Sequence, residues 1–218
     1  MGREAFATVW EKWREIAPQI RNRQAIYVYG SSGYGKSHIL VALACLLVCG
    51  GERVVYIPDC RLMLQQPLAY LQAAFLFAFA DPESSAQPEV VLRCETVEDL
   101  VTFSRQYKET GRLCFVIDQL NAFEPEPQVQ DVVTNETKSN LRHLLLDMTL
   151  GYVEISSASA NSRSAQYMEA KDTGDHKISL LGGLTNVRIP FGTICFVLIC
   201  PRRKWFSGGH AITNVLWI

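Results

Sequence analysis

No stretch of this chain is apolar for long enough to cross a bilayer. The most hydrophobic window, Leu68 to Ala80, is 13 residues long and is closed by Asp81-Pro82. A helical span needs about 20 residues, so this window reads as a buried helix. An excess of one charge is lacking too. The formal net charge of the 218 residues is −1, which gives no electrostatic case for binding nucleic acid or an anionic membrane. The basic cluster Arg202-Arg203-Lys204 is the size of an ordinary solvated turn. The seven cysteines include no C-x-x-C pair, and His38, His143, His176 and His210 form no metal-ligand spacing with them. Cys45, Cys49, Cys114 and Cys195 lie inside apolar runs, where cysteine behaves as a small hydrophobe. Buried free thiols in a reducing compartment follow, not a disulfide framework or a zinc site. Met1 to Glu15 mix charged and apolar residues and hold no secretory apolar core. The expectation is an intracellular protein, of the cytoplasm or nucleus.

What is present is a hydrophobic fraction of 48% and a charged fraction of 20%, enough for one α/β domain with a proper core. The chain is organised around Tyr27-Val28-Tyr29-Gly30-Ser31-Ser32-Gly33-Tyr34-Gly35-Lys36-Ser37, which matches the P-loop pattern G-x-x-x-x-G-K-[ST]. A β-rich run, Ala25 to Tyr29, leads in, and a helix from His38 to Cys49 leads out. Gly30, Gly33 and Gly35 let the backbone turn sharply and approach a ligand closely. The amides of Ser31, Ser32, Gly33, Tyr34, Gly35, Lys36, Ser37 and His38 converge on a phosphate at the positive end of that helix. Lys36 adds a point charge near the β- and γ-phosphates, and Ser37 offers a hydroxyl to Mg2+. The alternative is a glycine-rich turn into a buried helix with Lys36 solvated.

Along the chain, Phe6, Val9, Trp10, Trp13 and Ile16 recur at helical steps, so residues 4–16 form an amphipathic helix that Pro18 ends. Its aromatic stripe packs on the sheet or lies near an adenine. Arg53 to Ile57 reads as a second strand, and Asp59 follows at its carboxyl end as a site residue or a cap. Residues 63–80 are helical with a break at Pro67, and residues 81–89 are a surface loop. Thr96 and Asp99 form a capping box for a helix to about Lys108. Arg112 to Ile117 is an apolar strand ending in Asp118, the Walker B arrangement, which holds the Mg2+ shell beside the loop. Gln119 stands where many such ATPases have a water-activating Glu. A Gln cannot take a proton, though it can orient water, so turnover is slow, assisted by Asp59, Glu124 or Glu126, or absent. A polar loop over 121–135 precedes a helix over 136–149 and a strand over 152–156. Asn161, with Ser157 second, is the candidate to contact a γ-phosphate or its attacking water; a helix cap is the alternative. Arg163 is a candidate arginine finger, and residues 171–186 read as a loop.

The blocks from Ala25 to Leu40, from Val54 to Arg61, from Val116 to Ala122 and from Ser157 to Asn161 together resemble the P-loop NTPase part of crinkler-type proteins over about residues 10–185. The resemblance implies an ATPase module of the AAA/STAND kind, usually joined to other domains, among them a ubiquitin-like header and a nuclease-like domain. Neither has a counterpart in this sequence, so secretion, nuclear action and nuclease activity are not expected of it. Residues 187–218 form an atypical tail, with a fifth strand over 193–199 or, alternatively, translation read on into an intron at Val187-Arg188.

The expected fold is α/β, a mostly parallel sheet with helices on both faces and strands at 25–29, 53–57, 112–117 and 152–156. Residues 1–24 form an N-terminal helical lead and residues 25–186 the P-loop NTPase domain. The expected ligands are ATP and Mg2+, ATP over GTP because no N-K-x-D motif follows Asp118. Lys36, Gln119 and Asn161 are the expected catalytic residues, and Ser37 and Asp118 the metal ligands. A protein partner or a second copy of the chain is compatible with this reading; nucleic acid and membrane are not indicated. Two other readings stand beside the ATPase: a nucleotide-dependent switch that does not turn over, and a degenerate fragment.

Overall fold

The computed structural model describes residues 2–19, 24–31, 33–81, 86–125, 133–159 and 176–180, all within one unit, Met1–Gly183. Five strands build one sheet: β1 (Gln24–Gly30), β2 (Val54–Ile57), β3 (Cys114–Ile117), β4 (Val153–Ser159) and β5 (His176–Leu180). Their order is β2-β3-β4-β1-β5, and every pairing is parallel. Parallel neighbours need a crossover, and helices supply it on both faces. β1 lies inside the sheet, and the chain leaves it toward the far edge before returning to flank it. The carboxyl end of β1 is therefore the switch point at which open α/β sheets bind ligands.

Period-two alternation decides which helix covers which face. Ile26 and Val28, Cys114 and Val116, and Val153 and Ile155 look to one side and pack with α1 (Gly2–Ile16) and α2 (Lys36–Cys49). After Lys36, α2 has no charged residue, and Ile39, Leu40, Leu43, Ala44 and Leu47 are buried. On α1, Val9 and Ile16 are buried, while Phe6, Trp10 and Trp13 pack against the same core. Trp10 and Trp13 stack with centroids 5.1 Å apart. The aromatic stripe is thus a packing surface of the sheet.

Val55, Ile57, Phe115 and Ile117 look to the other side, under five helices: α3 (Cys60–Gln65), α4 (Pro67–Ala78), α5 (Gln87–Arg93), α6 (Val97–Tyr107) and α7 (Asn135–Thr149). The break at Pro67 separates α3 from α4, and Pro67 opens α4, where its missing N–H costs nothing. Phe75 meets Phe103 and Phe115 edge-on, both at 82°, an arrangement favoured by the ring quadrupoles. The Thr96–Asp99 capping box opens α6 as expected: Asp99 N donates to Thr96 Oγ1 at 3.1 Å, and Thr96 N donates to Asp99 Oδ2 at 2.9 Å. No helix among the described residues is long and apolar enough to cross a membrane.

Three expectations are corrected. The stretch expected as a loop over 171–186 contains β5, whose Ile178 and Leu180 rest on the α1–α2 side while Lys177 and Ser179 alternate with them. An edge strand with only two apolar residues leaves too short a pattern to read. The 3-10 turn Leu120–Phe123 runs into the expected polar loop over 121–135 and buries Ala122 and Phe123. Helix α5 begins inside the expected loop over 81–89. The expected strand over 193–199 and residues 126–132 lie outside the described residues.

Candidate functional site

β1 ends at Gly30 and α2 begins at Lys36, so the glycine-rich loop sits between an interior strand and the helix that follows it. Gly33 (φ 81°) and Gly35 (φ 78°) are left-handed, with open space where a Cβ would stand; backbone conformation, not crowding, demands glycine there. Gly30 is required for a different reason. A Cβ on it would lie 2.5 Å from the Leu180 carbonyl oxygen, so β5 can lie against β1 only if position 30 is bare. Gly35 caps α2 with no side-chain hydrogen bond. Among the described residues no side chain caps the first amides of the helix, at Lys36, Ser37 and His38, which suits them to an outside acceptor. Gly33, Ser37 and His38 are exposed, whereas Ser31, Tyr34, Gly35 and Lys36 are half-buried. Ser32 lies outside the described residues.

The Lys36 ammonium is folded into its own loop, donating to the carbonyl oxygens of Gly30 (2.9 Å) and Ser31 (2.8 Å). Burial holds its pKa below the usual lysine range, and the nearby Asp118 carboxylate pulls the other way. The residue that opens α2 and the residue that follows β3 are therefore close enough to feel one another's charge.

Asp118 follows β3 directly and is 2% exposed. Its amide donates to the Ile57 carbonyl at 2.8 Å, which continues the β2–β3 ladder and fixes the backbone. By alternation its side chain shares the α2 face with Val116. Oδ1 accepts from Gln119 N at 2.9 Å and from the Ser157 hydroxyl. Both of these hydrogen bonds fall on the same oxygen, Oδ1. Gln119 itself has φ 59° and ψ 42° and is the one non-glycine residue with positive φ among the described residues. Such a conformation is uncommon for a residue with a Cβ and is frequent at functional sites.

The other expected residues fall as follows. Ser157 is 1% exposed and donates its hydroxyl to Asp118. Asp59 is a cap: Oδ1 accepts from Arg61 N at 2.8 Å and Leu62 N at 3.4 Å. Glu124 closes the 3-10 turn and is half-buried. Asn161, Arg163 and Glu126 lie outside the described residues. A residue that sequence reasoning passed over is Tyr56. It is in register with Val116, on the Asp118 face, and its phenol is pushed up by burial and by that carboxylate. Strand parity alone was the signal for it.

Among the described residues no three His, Cys, Asp or Glu side chains gather to hold a metal. Asp118 with Ser37 is too small a donor set for a hard divalent cation, which takes about six oxygens. Phosphate oxygens and water would have to complete the shell, so the residues fit a cation that arrives with a phosphate ligand. Among the described residues Cys60, Cys94 and Cys114 are buried and free, Cys45 is half-buried and free, and Cys49 is half-buried.

No family model and no curated protein matches the chain. Among solved structures it is similar to AMPPCP-bound DnaA from Aquifex aeolicus, at 17% identity and a TM-score of 0.41, over 82% of this chain and 45% of that one. It is similar to the ORC2 protein of Aeropyrum pernix in its ADPNP–ADP complexes, at 16% identity and a TM-score of 0.43, over 81% and 46%. The chain spans about half the length of each of these two proteins. The fold class is α/β, a parallel sheet with helices on both faces and a glycine-rich loop at the carboxyl end of the interior strand β1.

Proposed function

We propose that this chain is an ATP-binding P-loop NTPase module that uses Mg2+ and hydrolyses the β–γ bond slowly. The observation that supports it best is the uncapped N-terminus of α2, reached through two left-handed glycines and facing a buried carboxylate on the next strand but one. Backbone amides of residues 31–37 hold the phosphates, and the Lys36 ammonium exchanges its two loop carbonyls for β- and γ-phosphate oxygens. Ser37 and Asp118 hold the cation, which neutralises charge on the oxygens it touches when bound. Gln119 or Asn161 orients the attacking water. No covalent intermediate is needed, because positioning and charge neutralisation suffice for phosphoryl transfer. Hydrolysis is slow because an amide at 119 accepts no proton.

The resemblance to crinkler-type proteins supports a module of the AAA/STAND kind that works beside other domains, with a partner protein or a second copy of the chain. A second reading, a switch that binds ATP without turnover, is favoured by the same amide at 119. A thermal-shift assay with Mg·ATP, run beside phosphate release, tests both. Stabilisation with turnover supports the ATPase, and stabilisation alone supports the switch. No stabilisation in wild type overturns the nucleotide site.

A further inference from the structure

The Ser157 hydroxyl lies where β4 and β3 end side by side. Ile117 is in register with Ser156, so Asp118 and Ser157 occupy the next step of the ladder. Both side chains look toward α2, because Val116 and Ile155 do. The hydroxyl donates to Asp118 Oδ1, and the Gln119 amide approaches the same hydroxyl at 3.4 Å. The one proton of the Ser157 hydroxyl is given to Asp118 Oδ1, and the side chain is 1% exposed. Its effect must pass through the carboxylate.

We propose that Ser157 is a positioning residue for the metal carboxylate: it pins Asp118 by one oxygen and leaves Oδ2 aimed for the cation of Mg·ATP. The inference rests on the nucleotide reading above. Asp118 ends a strand, where a carboxylate is free to turn about two side-chain torsions. One oxygen tied to both Ser157 and Gln119 N leaves the other oxygen a single direction, so the cation meets a ligand already ordered. Ser157 then contributes to binding only when metal is present, unlike a phosphate-contacting sensor, which would contribute with or without it.

The test is the gain in ATP affinity that Mg2+ gives over EDTA, measured by titration calorimetry on the full chain. Ser157→Ala should lose about tenfold of that gain, the scale of one hydrogen bond to a charged group, with affinity in EDTA unchanged. Ser157→Thr should keep the gain and Ser157→Val should lose it, since the two differ by a hydroxyl within one shape. In an Asp118→Asn background, Ser157→Ala should remove nothing further, because the cycle closes on a shared route. A full metal gain in Ser157→Ala or Ser157→Val overturns the assignment. Equal losses in Mg2+ and EDTA overturn it as well, by making Ser157 merely structural. Absence of ATP binding in the wild type overturns the nucleotide reading itself, and this inference with it.

Discussion

Lys36 has two tasks that pull against each other. It satisfies the Gly30 and Ser31 carbonyls in the structure described, and the proposed ligand needs the same ammonium. Lys36→Ala therefore removes ligand affinity and apo hydrogen bonds together, while relieving the cost of holding a charge in a half-buried place. The apo change should be small, under about 1 kcal/mol, whereas the Mg·ATP-induced rise in Tm should vanish. Undiminished ATP stabilisation of Lys36→Ala would place the phosphate elsewhere. Gln119 sets the second residue-scale expectation. Its amide is fixed by Asp118, and its backbone is already left-handed, so a carboxylate can replace the side-chain amide without moving the main chain. Gln119→Glu should raise single-turnover phosphate release by about tenfold or more, with a general base now beside the water. An unchanged rate would assign water activation to another residue.

Among the elements, α6 is the one whose start depends most visibly on two side chains. Thr96→Ala removes the hydroxyl that receives Asp99 N and should lower Tm by about 2–4 °C. The Thr96 hydroxyl and the Thr96 and Glu95 amides hold the Asp99 carboxyl below the usual Asp range. A depressed folded pKa means that the unfolded chain binds the proton first. The stabilisation is present above the ordinary Asp value and lost as pH falls through the folded one. The Tm gap between wild type and Thr96→Ala should accordingly be widest near neutral pH and narrow in acid; a gap independent of pH would separate Asp99 from the cap. Elements such as this were legible because a local pattern dictates them. The loop glycines, the capping box, the buried strands β1 to β4 and the carboxylate after β3 each announce themselves within a few residues. β5 did not, since an edge strand with two apolar residues looks like a loop. Nor did the second requirement on Gly30, because nothing near residue 30 in the sequence mentions Leu180. Ser157 was read as facing the ligand. Its hydrogen bond to Asp118 depends on β4 running beyond the expected end at 156 and on the parity of the strand beside it, both long-range facts.

For the molecule as a whole, the sheet order matters more than any single contact. β1 finds its β4 partner, Gln24 against Val153, roughly 130 residues later in the chain, and no strand of the described sheet is joined to a neighbour by a hairpin. Long-range parallel pairing of this kind is slow to form, since loop closure precedes its reward. A chain truncated after Gly151 keeps the phosphate loop, Asp118 and helices α1 to α7, yet lacks both strands that flank β1. It should melt without a cooperative transition by circular dichroism and show no response to Mg·ATP; a sharp, nucleotide-sensitive melt would mean that β1 is held by the helices alone. On the ribosome the same order has a cost in time. At ordinary elongation rates Ile26 and Val28 leave the exit tunnel on the order of ten seconds before β4 does. Through that interval a future interior strand of the sheet is an unpaired apolar ribbon, a natural client for the chaperones that greet nascent chains.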